Sequence, residues 1–499
     1  MALRALISGH PAPVSCGRPS EARFSRESPV PLKYVSTRGE APALGFCDVL
    51  LAGLARDGGL YVPETWPRLT DEEIAGLAGL PYAEAAFRVI RPFVGGEIAD
   101  ADLLAMCRAA YATFRHPAVV PLVQLGPSEW VLELFHGPTL AFKDVAMQLL
   151  ARLMDHVLTK RRARATVVGA TSGDTGGAAI EAFRDRDNAD VFILFPEGRV
   201  SRFQQKQMTT TGAANVHAIA VKGNFDDCQA IVKGLFGNRD FRERVALSGI
   251  NSINWGRIVA QVVYYFTSAV ALGAPARPVS FTVPTGNFGD VFAGYVAKRM
   301  GLPVRRLAIA TNVNDILVRT LAAGRYEVRG VTATTSPSMD IQVPSNFERL
   351  LFEAHGRDAA AVRAMMGDLS ARSAFTVSEN ALAAIRDDFL AGRASETEVA
   401  ATIRDTFRDT GFLADPHTAV GLTVARRLAE PAVPMVTLST AHPAKFAEAV
   451  AGAAGREPLP PPGFGDMLKR KEVFDVLPND RLAVEKFILS RARAAAEKV

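Results

Sequence analysis

Apolar residues along this chain follow two alternating patterns. Short apolar runs bounded by turn residues predict strands, and apolar residues spaced three or four apart predict helices between them. The predicted strands lie at 165–170, 191–195, 216–221, 279–283 and 435–438, and helices at 178–183, 226–235 and 291–300. Strands that alternate with helices predict an α/β protein with parallel sheets, whose ligands bind at the carboxyl ends of the strands.

The segments outside these units predict further parts. Short helices dominate residues 33–114, and residues 346–411 are mostly helical as well. We therefore predict a disordered extension, a helical N-terminal domain, a large α/β domain with a helical insertion, and a small α/β domain. The extension covers residues 1–32, and the N-terminal domain covers 33–115. The large domain covers 116–163 with 276–499, and its insertion lies at about 346–411. The small domain covers 164–275.

Composition narrows the class of protein. Apolar residues make up 48% of the 499 residues and charged residues 22%, which is ordinary for a globular protein. No apolar run reaches the roughly 18 residues that a membrane helix needs, and we expect a cytoplasmic protein. A net charge of +5 with scattered basic residues disfavours nucleic acid as a partner.

Neither the cysteines nor the N-terminal segment adds a functional signal. Cys16, Cys47, Cys107 and Cys228 lie far apart, show no metal-ligand spacing and predict reduced thiols without a metal site. Residues 1–32 are rich in Arg, Ser and Pro and lack both helical periodicity and the apolar region of a signal peptide. We interpret them as disordered, and favour an overlong start over a transit peptide.

One lysine stands at the predicted start of a helix, in the segment from His136 to Asp144. Apolar periodicity after Asp144 predicts a helix with Asp144 as its cap and Lys143 just outside. Positive potential at a helix N-terminus would lower the pKa of Lys143 and favour the neutral amine, which forms Schiff bases. A surface lysine at a helix start explains this segment, taken alone, at least as well.

Two glycine-rich turns join a predicted strand to a predicted helix. Residues 286–290 would expose successive backbone N–H groups beside a helix N-terminus, which suits a phosphate. Residues 171–177 add the hydroxyls of Thr171, Ser172 and Thr175, which suit a carboxylate or phosphate of a small substrate. The first segment is equally compatible with a tight turn that binds no ligand. The second is equally compatible with a helix cap.

Two other segments bring polar groups to positions where a ligand would lie. Asn251, Ser252 and Arg257 combine an amide, a hydroxyl and a guanidinium in one loop, which are group types that bind phosphate. Ser439 and Thr440 end the last predicted strand. Taken singly, each segment is also compatible with a plain polar loop or strand end.

These segments belong to a longer series of motifs in a fixed order. The series comprises residues 136–144, 170–177, 198–201, 207–210, 251–257, 284–290, 346–350, 416–421 and 438–446. Together they resemble the threonine synthase family, in its long bacterial and fungal form, over about residues 33–445. The resemblance implies a fold type II pyridoxal-phosphate enzyme, similar to tryptophan synthase β, with the cofactor between two α/β lobes.

The resemblance also implies a role for each matched residue. Lys143 would form the Schiff base with the cofactor, and Thr440 would face the pyridine nitrogen. The loop expected to bind the cofactor phosphate consists of Gly286, Asn287, Phe288, Gly289 and Asp290. The residues expected to hold the substrate are Thr171, Ser172, Asp174, Thr175, Asn251, Ser252 and Arg257, with Asn287.

Two positions differ within the family. Short threonine synthases carry Asn where this chain, like the long form, has Asp174, so the partner of the cofactor's O3′ stays open. The family usually has an acidic residue before the Gln-Met-Thr-Thr motif, whereas this chain has Lys206, so the role of that position also stays open.

The reaction that the resemblance implies is the conversion of O-phospho-L-homoserine and water to L-threonine and phosphate, by a monomer. Arg257 and the Asn251–Ser252 pair disfavour a serine or threonine dehydratase, because the substrates of those enzymes carry no phosphate. A phosphohomoserine lyase would share the site. A cofactor-storing or regulatory protein would keep the fold without turnover.

Overall fold

The computed structural model describes residues 31–496. Its strands are β1 (Tyr34–Ser36), β2 (Tyr61–Pro63), β3 (Leu122–Gln124), β4 (Glu129–Glu133), β5 (Ala165–Ala170), β6 (Ala189–Pro196), β7 (Val216–Lys222), β8 (Leu247–Ser248), β9 (Val279–Pro284), β10 (Val304–Thr311), β11 (Arg325–Glu327), β12 (Ala374–Thr376), β13 (Phe389–Arg393), β14 (Met435–Ser439) and β15 (Asp475–Pro478). The predicted extension at residues 1–32 and Cys16 lie outside the described residues, apart from positions 31 and 32.

Helices connect these strands and cover the sheets. They are α1 (Phe46–Ala52), α2 (Asp71–Ala75), α3 (Tyr82–Val94), α4 (Asp100–Tyr111), α5 (Lys143–Arg161), α6 (Asp174–Phe183), α7 (Arg202–Thr209), α8 (Phe225–Gly237), α9 (Arg239–Arg244), α10 (Trp255–Ala271), α11 (Gly289–Arg299), α12 (Ile316–Ala323), α13 (Phe347–Ala354), α14 (Ala359–Arg372), α15 (Glu379–Asp388), α16 (Glu396–Thr410), α17 (Pro416–Leu428), α18 (Ala447–Ala454), α19 (Phe464–Lys469), α20 (Arg481–Arg491) and α21 (Arg493–Ala496). Short 3-10 turns lie at Pro337–Met339 and Pro443–Phe446. None of the helices within 31–496 has the length and apolar character of a membrane span.

Two sheets form the frame of the molecule. The first has the strand order β13-β10-β9-β14-β4-β3, and its neighbouring strands are parallel except for the antiparallel β3–β4 pair. The second has the order β15-β7-β6-β5-β8 and is parallel throughout. The predicted α/β architecture is confirmed, since every apolar run that predicted a strand lies within one of these sheets.

Two edge strands depart from the predicted organisation. β13 lies inside the segment predicted to be a helical insertion, yet it pairs with β10 in the first sheet. β15 pairs with β7 of the second sheet, whereas residues 276–499 were predicted to belong to the large domain. Both strands are short and largely half-exposed or exposed, so they lack the apolar run that marks a strand buried on two faces.

Helix α5, which begins at Lys143, runs through the centre of the molecule. Most of its residues are buried, and it packs against α4, α6 and α10. The predicted start of this helix was wrong, because it begins at Lys143 with Phe142 at the N-cap position. The carboxylate of Asp144 accepts hydrogen bonds from the backbone N–H and the hydroxyl of Thr139, at 2.8 and 2.7 Å, and so closes the preceding loop instead of capping the helix.

The N-terminal helices hold the first turn of α10. Trp255 begins this helix and is fully buried. The aromatic rings that surround it belong to Tyr34, Trp66 and Phe93, with centroids 5.7, 6.2 and 5.8 Å away. Asn254 caps the helix, because its side chain accepts from the N–H of Gly256 and donates to the carbonyl of Leu50, each at 2.9 Å. The N-terminal domain thereby fixes the turn that carries Arg257.

The cysteines within the described residues agree with the prediction of reduced thiols. Cys47, Cys107 and Cys228 are buried and free. Burial raises the pKa of the Cys47 thiol to about 12, and that of Cys228 to about 11. These thiols are therefore packing groups, because the thiolate is the reactive form of cysteine.

Candidate active site

Loops from the carboxyl ends of both sheets meet at Lys143. β5 of the second sheet leads through residues 171–173 into α6, whose first residue is Asp174. Lys143 Nζ lies 3.3 Å from Oδ2 of Asp174. From the first sheet, β14 ends beside the same helix, and the carbonyl of Thr440 accepts the N–H of Phe142 at 2.8 Å. The segments that follow β5 and β14 therefore meet at the carboxyl ends of their sheets, where the parallel-sheet rule predicts a ligand site.

The environment of Lys143 favours its neutral form. The side chain is buried, and its amine lies 4.9 Å from the centre of the Phe142 ring. Burial is the largest cause that lowers the pKa of Lys143; Asp174 opposes it, and Lys445 and Arg257 add to it. The predicted direction agrees with the structure, although burial and not the helix N-terminus is the leading cause. A neutral amine is the nucleophile that Schiff-base chemistry requires.

Asp174 is shared by two lysines. Its Oδ1 lies 2.6 Å from Lys445 Nζ and accepts from Gln204 Nε2 at 2.8 Å, while its Oδ2 faces Lys143. Burial alone would raise the pKa of Asp174, but Lys445 and the protonated form of Lys143 outweigh it and hold that pKa well below its usual range. The substrate contact that the resemblance implied for Asp174 stays a prediction, since each of its oxygens already has a lysine partner.

The turn after β5 uses one of its predicted hydroxyls internally. Thr171 Oγ1 accepts hydrogen bonds from the N–H groups of Gly173 and Gly176, each at 2.9 Å, so it caps the turn. Ser172 and Thr175 are half-buried, and their hydroxyls bind no other group in the described part of the chain. These two hydroxyls are the ones available to a ligand.

The turn after β9 has the geometry of an anion cradle. Phe288 stands at the N-cap of α11 in the left-handed conformation, with φ 66°. A Cβ on Gly286 would lie only 2.4 Å from the carbonyl oxygen of Ser338, so the chain passes too closely there for a side chain. Asn287 is exposed at the tip of the turn, and Gly289 opens the helix. Backbone N–H groups beside a helix N-terminus suit a phosphate.

Asp290 differs from the rest of that turn because its carboxyl binds a neighbouring helix. Oδ1 accepts from the hydroxyls of Tyr264 and Tyr265, the second at 3.1 Å, and Oδ2 has no partner between residues 31 and 496. Burial raises the pKa of Asp290 to about 6. A carboxyl that protonates this readily is compatible with a bound anion nearby.

Arg257 is a buried guanidinium that pairs with no carboxylate in the described residues. It is 3% exposed, and its Nη1 donates to the carbonyl of Ile250 at 3.2 Å. Its Nε finds no acceptor, and no carboxylate pairs with the guanidinium, within the described residues. Burial lowers the pKa of Arg257 to about 10, so the group remains charged at neutral pH. A buried charge without a counter-ion is costly, and an anionic ligand would remove that cost.

Asn346 and Arg349 join the two loops that are predicted to bind anions. Asn346 Nδ2 donates to the carbonyls of Ser252 and Asn287, at 3.2 and 3.0 Å. Arg349 is fully buried and donates to Oδ1 of Asn346 and, at 2.6 Å, to the carbonyl of Ile253. Sequence reasoning singled out the motif at 346–350 but gave it no role. The structure identifies it as the link that fixes the separation of the loops.

Comparison with known proteins identifies the family to which this chain belongs. The model "Threonine synthase N terminus" matches residues 33–111, "Pyridoxal-phosphate dependent enzyme" matches 113–385, and "Threonine synthase, C-terminal" matches 418–488. The threonine synthase of Pseudomonas aeruginosa is 54% identical over 459 residues, which cover 92% of this chain and 98% of the relative. The chain belongs to the threonine synthase family.

Solved structures of threonine synthases agree with this assignment. The threonine synthase from Brucella melitensis, described as bound to pyridoxal phosphate, is 63% identical with a TM-score of 0.91, over 93% of this chain and all of that one. The yeast enzyme is 38% identical with a TM-score of 0.87, over 93% of this chain and 99% of that one. The fold type II architecture, the threonine synthase assignment and the pyridoxal-phosphate cofactor are confirmed.

The residues of this site fit the cofactor. Pyridoxal phosphate needs a lysine amine for its aldehyde and a cradle for its phosphate. Lys143 supplies a buried amine with a lowered pKa. The turn at 286–290 supplies a helix N-terminus, and its first residue, Gly286, has no room for a Cβ. The free Oδ2 of Asp290 and the free Nε of Arg257 are further groups without a protein partner in residues 31–496.

Lys206, where the family usually has an acidic residue, has a structural role in this chain. Its Nζ donates to the carbonyl of Arg470 at 2.7 Å and pairs with Glu472 at 3.6 Å. Gln205 and Thr209 also contact Glu472, each at 2.9 Å. Helix α7 is thereby fastened to the segment that leads into β15.

Gly286→Ala is expected to weaken cofactor binding. The new methyl group would collide with the carbonyl of Ser338, and the turn would have to shift at a cost of about 1 to 3 kcal/mol. That corresponds to a loss of roughly tenfold to a hundredfold in affinity for pyridoxal phosphate, measured by titrating the apoenzyme and following absorbance. Gly330→Ala is the control, because a Cβ there meets nothing within 4 Å. Equal affinities in the two variants would show that the turn does not bind the phosphate.

Proposed function

We propose that this chain converts O-phospho-L-homoserine and water to L-threonine and phosphate, with the cofactor bound at Lys143. The observation that carries this proposal is the combination of a buried amine with a lowered pKa and a buried guanidinium without a counter-ion. Arg257 lies near enough to lower the pKa of Lys143. A dehydratase would have no use for that cation, because its substrate carries no phosphate.

The cofactor and the residues around it would divide the work. Pyridoxal phosphate, when bound, supplies the electron sink that stabilises negative charge on the substrate. Lys143 would act as a free amine that takes and returns protons at Cα and Cβ. The residues that would hold the cofactor are Gly286, Asn287, Phe288, Gly289 and Asp290 at its phosphate and Thr440 at its ring nitrogen.

The substrate would be held at both ends. Arg257, with Asn251 and Ser252, would bind the phosphate and stabilise the charge that develops while its C–O bond breaks. Ser172 and Thr175, with Asn287, would hold the carboxylate, and Thr171 would fix their turn by capping it. Asn346 and Arg349 hold the loop at 251–257 beside the turn at 286–290, so the substrate phosphate would lie at a set distance from the cofactor phosphate.

The decisive experiment incubates the holoenzyme with O-phospho-L-homoserine and measures phosphate and the amino-acid product together. Equal amounts of phosphate and threonine are expected. Phosphate accompanied by a keto acid in place of threonine would identify a phosphohomoserine lyase. Cofactor binding without release of phosphate would identify a storage or regulatory protein.

Thr440→Asp is expected to change the products and leave the cofactor bound. Thr440 is buried directly after β14. A hydroxyl leaves the pyridine nitrogen neutral, whereas a carboxylate would hold it protonated and deepen the electron sink. Cofactor absorbance should persist, while threonine falls and keto-acid products rise. Thr440→Ser, which keeps the hydroxyl, should retain the wild-type ratio. An unchanged ratio in Thr440→Asp would remove Thr440 from the ring nitrogen.

We further propose that the enzyme acts as a cytoplasmic monomer without a nucleic-acid partner. The family resemblance favours the monomer. The small net charge of +5 and the scattered basic residues give nucleic acid no footprint. Light scattering on the purified holoenzyme tests the monomer directly, and a dimer mass would refute it.

A further inference from the structure

Lys445 is a second buried lysine in the candidate active site, and the proposed reaction gives it no role. Its side chain is 0% exposed. Its Nζ lies 2.6 Å from Oδ1 of Asp174 and donates to the carbonyl of Thr139 at 2.8 Å. Asp174 therefore has one lysine on each of its two oxygens.

The two lysines bind Asp174 unequally. Lys143 approaches Oδ2 at 3.3 Å, and its amine has no second acceptor within residues 31–496. Lys445 has two acceptors, both closer than 3 Å. Short charge-assisted hydrogen bonds are the strong ones, so the ammonium form is held more firmly at Lys445 than at Lys143.

The charge balance of the site favours the same outcome. Charged groups act on the amine of Lys143 from several neighbouring elements. They are Asp174 on α6, Arg257 on α10, Asp290 on α11 and Lys445 in the turn after β14. If all three basic groups were protonated, three cations would share two carboxyl groups in a buried site. One amine is best accommodated without its proton, and the geometry selects Lys143.

We propose that Lys445 is a positioning residue, which occupies Asp174 permanently and so leaves Lys143 as the uncharged amine that captures the cofactor. This inference rests on the proposed role of Lys143. Without Lys445, Asp174 would have only Lys143 as a cationic partner and would hold it as an ammonium group. Asp174 is then an electrostatic link between the lysines and not a substrate ligand.

The test measures how fast apoenzyme variants capture pyridoxal phosphate at different pH, from the absorbance change on binding and without any turnover. Lys445→Met should raise the pH midpoint of capture by about one unit, which is roughly tenfold slower capture near neutral pH. Asp174→Asn should lower the midpoint, because Lys143 would then face Lys445 and Arg257 with no ionised carboxylate at position 174. Shifts in opposite directions are not expected from a general loosening of the fold.

Lys298→Met is the matched control for the loss of an ion pair. Lys298 lies in the last turn of α11, and its Nζ is 2.6 Å from Oδ1 of Asp388. This variant should keep the wild-type midpoint. An unchanged midpoint in Lys445→Met would overturn the proposal. So would midpoints of Lys445→Met and Asp174→Asn that shift in the same direction. If Lys445→Met does not fold, Asp174→Asn decides alone, and a midpoint that fails to fall refutes the role of Lys445.

A separate measurement distinguishes this inference from the proposed function. Borohydride reduction of the wild-type holoenzyme, followed by peptide mapping, locates the lysine that carries the cofactor. An adduct away from Lys143 would refute the proposed function. An adduct on Lys143 together with unmoved midpoints would refute only the role of Lys445.

Discussion

Lys143→Ala is expected to lower kcat at least about a thousandfold, because it removes both the covalent anchor of the cofactor and the amine that moves protons. Pyridoxal phosphate should still bind through the turn at 286–290, but without the absorbance of a Schiff base. Borohydride should then leave no cofactor on any peptide. Turnover is measured as threonine formed from O-phospho-L-homoserine at saturating substrate.

A lysine outside the site provides the control for Lys143→Ala. Lys222 is exposed at the end of β7, and Lys222→Ala should keep wild-type kcat and its reducible cofactor. The assignment fails if the wild-type adduct maps to Lys206, Lys222 or Lys445. It also fails if Lys143→Ala retains a reducible cofactor together with normal turnover.

Arg257→Ala is expected to reduce kcat/KM while the cofactor remains bound. In the proposed site the turn at 286–290 and its helix N-terminus would bind the cofactor phosphate, which leaves the guanidinium for the phosphate of the substrate. Loss of a charge-assisted bidentate contact costs about 2 to 4 kcal/mol, or roughly 30- to 1000-fold in kcat/KM. Inhibition by inorganic phosphate should disappear with it. Steady-state kinetics and cofactor absorbance measure the two effects separately.

Two variants sharpen the Arg257 experiment. Arg257→Lys should recover only part of the activity, because a point charge does not reproduce the planar fork of a guanidinium. Arg152→Ala removes another arginine whose pKa is lowered to about 10 by burial, and it should leave kcat/KM unchanged. A loss of cofactor in Arg257→Ala, with normal kcat/KM in the holoenzyme that remains, would assign this arginine to the cofactor.

Local patterns in the sequence were sufficient for the central strands and the turns that follow them. β5, β9 and β14 are apolar because they are buried on both faces, and the glycines after β5 and β9 allow the tight turns. The start of α2 is just as local, because Thr70 forms a capping box with Glu73. Each of these signals depends only on residues close together in the chain.

Contacts between distant residues left no such signal. Lys445 and Asp174 are far apart in sequence, and neither their motifs nor their neighbours indicate that they pair. The cap of α5 was misplaced because Asp144 prefers Thr139, five residues away, to the helix end. The edge strands β13 and β15 are recognisable only through the partners they join. Tertiary pairing decided the first and third cases, and a contact within the preceding loop decided the second.

The pairing of β15 with β7 has a consequence for how this protein is made. β7 ends at Lys222, whereas β15 begins only at Asp475, so translation produces the edge of the second sheet long after the strand it covers. During that interval the backbone groups of β7 lack their native neighbour, and an uncovered strand edge invites pairing with other chains. Newly synthesised chains are therefore most exposed to aggregation before residues 475–478 emerge, and this is the interval in which a chaperone would be of greatest use to them.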